Sequence, residues 1–379
     1  MKIALIAPGG VSNDPMYTIP ALMWLVGRLA TRHTVMVYLL HRAAAPTRAN
    51  VLGAEVVIDG GALRHLRTIQ AIRAEHRRAP FDLVHSIWAG TNGLVGALAA
   101  QRIGRPHLVH LAGGELVSLH DINYGGGLSL RHRLTNRWVF KRAAVVSAAS
   151  APIIQAAREF GVSAARIPLG ADRSTFPPRE PVARATSRPV RLVQVASLNL
   201  IKDQGMLLRA LAKLVTAGLD VELDIAGVDG MNGEIHALAQ ALGVASRVRF
   251  HGRVDSARVR ELVSCADIHV VSSLHEAGPV AILEAAMLGV PTVGTQVGHV
   301  SEWAPDAALA GPPGDAAALA ANLIRLIDDD SLRLALATEA QRRALADDAD
   351  CTVRLFEAQY RAAVVATRDP YTLFRIGPS

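Results

Sequence analysis

Short apolar runs alternate with amphipathic stretches along most of the chain. In the first half, runs at 3–7, 34–39, 55–58, 83–86, 107–111, 144–147 and 166–167 read as strands. They are almost continuously apolar, as expected of strands covered on both faces of a parallel sheet. Between them, 19–30, 63–78, 92–102 and 130–142 repeat their apolar positions with a helical period. Strand–helix–strand alternation predicts right-handed βαβ units in a doubly wound sheet.

The pattern breaks at 177–189, PPREPVARATSRP, which is rich in Pro, Arg and Ser and has no apolar periodicity. Such a composition predicts a linker. A second series follows, with strands expected at 190–196, 220–226, 247–250, 268–272 and 292–294. Its helices are expected at 204–216, 234–242, 256–265 and 280–288, and after Pro313 the chain reads as helical to about 367. The expectation is an α/β protein of two doubly wound domains, 1–176 and 190–351, facing a central cleft. Ligands of such sheets sit beyond the carboxyl ends of the strands, so the loops there are where chemistry is sought.

Composition agrees with two folded domains. The chain has 379 residues, 50% hydrophobic and 19% charged, which excludes intrinsic disorder. Its two cysteines, Cys265 and Cys351, cannot make a disulfide framework or a cysteine zinc site. The first apolar run is five residues long and ends at Pro8, unlike a secretory leader, and no apolar stretch is long enough to span a membrane. A cytoplasmic location is therefore expected.

Charge is uneven. Residues 1–180 hold 21 Lys and Arg against 10 Asp and Glu, whereas residues 181–379 hold 19 against 23. A basic first half suits an anionic partner. Much of the excess lies in Arg64, Arg67, Arg73, Arg77 and Arg78, and in Arg131, Arg133, Arg137, Lys141 and Arg142 interleaved with Trp138 and Phe140. The second group fits a surface helix resting on anionic lipid or a plain solvated face. Nucleic acid is not expected, because aromatic content is 4% and no nucleic-acid module is visible.

The richest segment for chemistry runs from Ser272 to Pro291, where a strand enters a loop with His275, Glu276, Ala277 and Gly278. Pro279 then suits the first turn of a helix, and the N–H groups of Val280 and its successors would be unpaired there. Such a helix start favours an anionic or hydroxyl-rich ligand. Glu284 lies a turn inside the helix, so Glu276 and Glu284 can face one ligand and accept hydrogen bonds from sugar hydroxyls. Lys202, one of four lysines, follows the first strand of the second domain just before a helix start. It is placed for a phosphate, with Asp203 as a cap. Gly9 and Gly10 follow the first strand and permit close backbone approach. Neither the dinucleotide fingerprint nor the P-loop pattern occurs, which disfavours a dehydrogenase and a P-loop nucleotidase.

Together these segments resemble glycosyltransferase family 4, retaining enzymes of the GT-B fold with two Rossmann-like domains. Glu276 to Glu284 matches the family's Glu–seven residues–Glu motif, and Gly298 to Glu302 resembles its glycine-rich turn. His251-Gly252-Arg253-Val254 and Ala226-Gly227-Val228-Asp229-Gly230 resemble elements near the nucleotide, and Ile167 to Asp172 resembles the segment before the linker. The resemblance implies a nucleotide-sugar donor held by the second domain. Lys202 would neutralise the leaving diphosphate, Glu284 would hold the ribose, and Glu276 with the backbone of 278–280 would hold the donor sugar. Gly9 and Gly10 would approach the diphosphate from the first domain. No metal or other cofactor is implied. The acceptor would be a carbohydrate or a lipid-linked molecule, the latter suited to the basic first half, as in envelope polysaccharide or glycolipid assembly at the inner face of the cell membrane. The last helix, about 352–379, would return to the first domain.

Two positions depart from the family pattern. Ser197 stands where an Arg is common, leaving Arg253 to supply a second cation. Ala112 stands where a His is common, leaving His110 or Glu115, beside Gly113 and Gly114, for acceptor contacts. A nucleotide-sugar 2-epimerase and a non-catalytic nucleotide-sugar-binding protein are the alternatives. The acidic clusters at 328–330 and 347–350 read as helix-end charges rather than a metal site.

Overall fold

The structure is a computed structural model that describes residues 1–14, 17–43, 45–184 and 187–368. Residues 185–186 of the expected linker and 369–379 of the expected last helix lie outside the described residues. The chain divides into two compact units, one running from Met1 to Leu169 and resuming at Ala349, the other Gly170–Asp348.

The first unit is built on β1 (Lys2–Ala7), β2 (Thr34–Leu39), β3 (Thr47–Val51), β4 (Ala54–Ile58), β5 (Leu83–Ile87), β6 (His107–Leu111), β7 (Val145–Ala148) and β8 (Ala165–Arg166). The sheet order is β3-β4-β2-β1-β5-β6-β7-β8. β1 is central, with Ile3 paired in parallel to both Val35 and Leu83. Its residues from Ile3 to Ala7 are fully buried, which is why the strand reads as an unbroken apolar run. Helices α1 (Pro20–Ala30), α2 (Arg64–Arg78), α3 (Gly90–Ile103), α4 (Leu130–Phe140) and α5 (Ala151–Glu159) make the crossovers. The antiparallel edge strand β3 is absent from the sequence expectations. Four of its five residues are exposed, so no apolar pattern marks it.

The second unit carries a six-stranded parallel sheet of order β11-β10-β9-β12-β13-β14. Its strands are β9 (Val190–Val195), β10 (Val221–Ala226), β11 (Val248–Gly252), β12 (Ile268–Val271), β13 (Thr292–Thr295) and β14 (Ala308–Gly311). β14 was not expected, since Ala-Leu-Ala-Gly has no β-branched residue. Helices α6 (Gln204–Thr216), α7 (Glu234–Ala241), α8 (Ser256–Ser264), α9 (Val280–Met287), α10 (Gly298–Trp303), α11 (Ala316–Asp328) and α12 (Asp330–Ala346) complete it. Leu207, Leu211 and Leu214 of α6 join Leu192, Leu223, Ile225 and Val270 of the sheet in one core.

The segment expected as a linker is fastened to the second unit. Arg179 N donates to Met287 O at 3.0 Å, Arg184 to Ile327 O at 3.1 Å, and Arg188 grips Asp267 with two bonds of 2.8 Å. Gly289 makes room for it: a Cβ there would lie 2.7 Å from Arg179 O.

The final helix α13 (Ala349–Arg368) packs on α1 in the first unit, where Arg28 meets Asp350 at 2.7 Å and His33 meets Glu357 at 3.0 Å. The acidic clusters have local partners. Asp329 caps α12, Asp330 pairs with Arg333 at 2.7 Å, and Asp348 with Arg173 at 2.6 Å. Among the described residues, no group of three His, Cys, Asp or Glu side chains is gathered for a metal ion, and no helix is long and apolar enough to cross a membrane.

Candidate active site

The carboxyl ends of β9 and β12 are joined by a short polar network. After β9 the Asn199 side chain accepts from Lys202 N at 3.1 Å and closes one tight turn, Leu200–Lys202. Asp203 follows with φ of 41°, a left-handed conformation that non-glycine residues adopt at a cost. Its carboxylate caps α6 by accepting from Met206 N at 3.0 Å, which helps offset that cost. From β12, Ser272 Oγ donates to Lys202 O at 2.6 Å and Leu274 N to Ile201 O at 2.8 Å. Gln194 in β9 donates to Ser272 Oγ at 2.8 Å. The two loops are therefore held together by backbone and side chain alike.

This network places Lys202 Nζ against Glu276 Oε1, and the same carboxylate oxygen accepts from Ser273 Oγ at 2.6 Å. A pocket of about 130 Å³ opens beside the pair, lined also by Val195, Ala196, Pro279 and Val280. Pro279 supplies no side-chain cap to α9, so the first N–H groups of that helix remain available at the pocket. Gly298 packs against two residues of the pocket, Pro279 and Glu276. Its φ is 46°, and a Cβ would lie 2.8 Å from Pro279 Cδ and 3.1 Å from Glu276 Cβ. Thr295 Oγ1 donates to Ser273 O at 2.6 Å from the same side.

Glu284 occupies the second turn of α9 and is 7% exposed. Burial pushes its carboxyl up to about 7. His275 is half-buried and Ala277 buried in the loop, while Gly278 precedes Pro279. Among the remaining expected donor contacts, Gly227 donates its N–H to Gly252 O at 2.8 Å, and a Cβ on it would lie 2.0 Å from Ala196 O. Its glycine is thus required by loop-to-loop packing. Gly252 has φ of 62° with open space around it, and Arg253 and Ser197 are exposed beyond the ends of β11 and β9.

In the first unit, Gly10 has φ of 88° and its carbonyl accepts from Ile19 N at 2.9 Å. A Cβ there would lie 2.7 Å from the Ile19 side chain, whereas Gly9 has ordinary room. His110 corrects the sequence expectation. It is fully buried on β6, with Nδ1 3.0 Å from Ser147 Oγ and its ring edge-on to Phe356 at 5.2 Å. Burial lowers its pKa to about 3, so it is a neutral core side chain without access to an acceptor. Glu115 instead gathers loops: its carboxylate accepts from the N–H groups of Gly113 at 2.8 Å, Ala89 at 3.3 Å and Ala112 at 3.4 Å. Gly113 and Gly114 let Trp88 and Tyr124 close on that turn, since a Cβ on either would lie 2.5 Å from those rings.

Gln194, Asn199, Ser272 and Ser273 were missed by sequence reasoning. The available signal was a polar residue inside an apolar strand and two serines at a strand's carboxyl end.

Two family models match. Residues 19–170 match the glycosyl transferase 4-like domain and residues 180–343 match glycosyl transferases group 1. A D-inositol 3-phosphate glycosyltransferase of Thermomonospora curvata is 30% identical over 333 residues, covering 76% of this chain and 74% of the relative. The chain belongs to the family 4 glycosyltransferases. This glycosyltransferase is also 32% identical over 142 residues to a GDP-mannose-dependent alpha-(1-6)-phosphatidylinositol dimannoside mannosyltransferase of Mycobacterium tuberculosis, covering 36% of each chain. With the first relatives it matches, this glycosyltransferase shares about two thirds of their length. Among solved structures, a sucrose-phosphate synthase of Thermosynechococcus elongatus superposes with a TM-score of 0.80 at 20% identity, covering 97% of this chain and 100% of that one. The glycosyltransferase thus has the GT-B fold, and its family retains anomeric configuration and draws on nucleotide sugars.

Proposed function

We propose that the pocket between β9 and α9 binds the diphosphate and sugar of a nucleotide-sugar donor. The sugar then passes to a hydroxyl of a carbohydrate acceptor that is lipid-linked or part of a growing envelope polysaccharide. The observation that carries the reading is the Lys202–Glu276 pair at the uncapped start of α9. A pocket of about 130 Å³ suits one part of such a ligand rather than all of it.

The chemistry follows from charge. As the acceptor oxygen bonds to the anomeric carbon, the bond from that carbon to the phosphate oxygen breaks, and negative charge grows on the leaving diphosphate. Lys202 and the α9 N–H groups would stabilise that charge from fixed positions. An arriving diphosphate would compete with Glu276 for the Lys202 ammonium, leaving the Glu276 carboxylate free to accept sugar hydroxyls. Glu284 would accept the ribose hydroxyls. The departing phosphate would take the acceptor proton, so no side-chain base is assigned. The lipid acceptor draws support from the phosphatidylinositol mannosyltransferase relative and from the basic first half of the chain.

A melt screen of nucleoside diphosphates, followed by donor turnover with and without acceptors, tests this. Stabilisation by one diphosphate, lost in Glu284→Ala, supports the site. Donor converted to an epimer without acceptor would replace transfer by 2-epimerisation, and binding with no turnover would leave a binding protein. No response to any nucleotide would remove the donor site.

A further inference from the structure

Helix α4 leaves an apolar stripe uncovered. Leu130 is 68% exposed and Leu134 56% exposed, and Trp138 is half-buried. Successive helix positions are about 100° apart, so 130, 134 and 138 fall within an arc of about 80°. On the same projection Arg133 and Arg137 border the stripe on one side and Arg131 on the other, while Lys141 and Arg142 follow at the carboxyl end of the helix. The opposite side of the helix packs inward through Asn136, Val139 and Phe140.

Two further observations set this face apart from an ordinary charged helix. No Asp or Glu occurs between Asp121 and Glu159. None of these five cations forms an ion pair with a described residue, although Arg28, Arg173, Arg188 and Arg333 all do. The Arg142 guanidinium instead stacks on the Trp138 ring at 4.0 Å. Beside the carboxyl end of α4 a cavity of about 460 Å³ opens between Arg137, Lys141, Phe140, Phe160 and Val162, offering cations over an apolar floor.

We infer that α4 is a docking face for an anionic lipid surface, with Leu130, Leu134 and Trp138 at headgroup depth and the flanking cations against lipid phosphates. An apolar stripe bordered by cations on both sides matches an interface between water and acyl chains. The docking face is tied to the segments that follow β5 and β6. Asn136 donates to Glu115 O at 3.0 Å and accepts from Gly90 N at 2.9 Å, so the helix is fastened to both segments. A lipid-linked acceptor would then be presented to the edge of the sheet where acceptor contacts are sought. That consequence rests on the proposed function, but the docking itself does not.

Flotation with vesicles of phosphatidylcholine, with and without about 30 mol% phosphatidylglycerol, tests the inference at low salt and at about 0.5 M salt. The protein is expected to float only with the anionic vesicles, and less at high salt. Leu130→Asp with Leu134→Asp should weaken binding at least tenfold, and Arg133→Glu with Arg137→Glu similarly. Arg73→Glu with Arg77→Glu on α2 makes the same change in charge and should stay within about twofold. Trp138 emission, taken as wild type minus Trp138→Phe, should shift to the blue on binding. No flotation of the wild type, or equal losses from the α2 and α4 charge pairs, overturns the inference. A nucleoside diphosphate melt on the same samples reports the fold and donor site of each variant separately.

Discussion

Replacing Glu284 by Gln separates stability from function at one atom. The side chain is 7% exposed, and burial pushes its carboxyl from 4.5 up to about 7. Between those values the folded chain binds the proton more tightly than the unfolded chain, so stability falls as pH rises through the window. A shift of that size corresponds to about 3 kcal/mol, fully felt above pH 7 and absent below the unfolded value. Gln keeps the shape and removes the ionisation. Glu284→Gln is therefore expected to melt higher than wild type at pH 8, by roughly 5–10 °C for a unit of this size, and to match it near pH 4. The same change removes a charged acceptor from the proposed ribose contact, weakening nucleoside diphosphate binding by about tenfold to a hundredfold. Calorimetric melts across pH, with and without the diphosphate, read both effects. A pH-independent difference in melting would refute the burial argument, and unchanged nucleotide affinity would refute the placement of Glu284 at the donor.

Glu276→Gln removes the counter-charge from Lys202 in a pair that is partly exposed, so nucleoside diphosphate binding should tighten by a few-fold, about 0.5–1 kcal/mol, while transfer falls. Titration calorimetry showing weaker diphosphate binding would contradict the competition between Glu276 and phosphate. Gly298→Ala adds a Cβ 2.8 Å from Pro279 at a φ of 46°, and should cost about 1–3 kcal/mol in denaturant unfolding and loosen donor binding. A neutral result would show that Pro279 and Glu276 yield freely at this contact. Glu115→Gln weakens three backbone contacts that gather two loops, so acceptor KM should rise while the dissociation constant of the donor stays unchanged. A change in donor affinity alone would speak against that role.

Much of the fold was written in local pattern. Strands such as β1 and β2 are short apolar runs because both faces of a parallel sheet are covered, and helices between them repeat at their own period. Lys202, Glu276 and Glu284 also stood out, since a strand end, a glycine, a proline and a helix start are local signals. Pattern failed where burial or composition was atypical. β3 is exposed and polar, β14 lacks β-branched residues, and 177–189 reads as free chain although Arg179, Arg184 and Arg188 fasten it to the second unit. His110 looked available for chemistry because sequence does not say which way a strand residue faces, and here it faces Phe356 and Ser147.

Only the tertiary structure brings Lys202 to Glu276, seventy-four positions apart, through contacts between loops after adjacent parallel strands. Neither loop encodes that meeting alone, because it depends on the order in which the strands pair. The same holds for the exposed stripe of α4: the sequence determined its amphipathic period and its lack of acidic neighbours. Which face the core covers, and which it leaves to solvent, was decided by packing against the rest of the first unit.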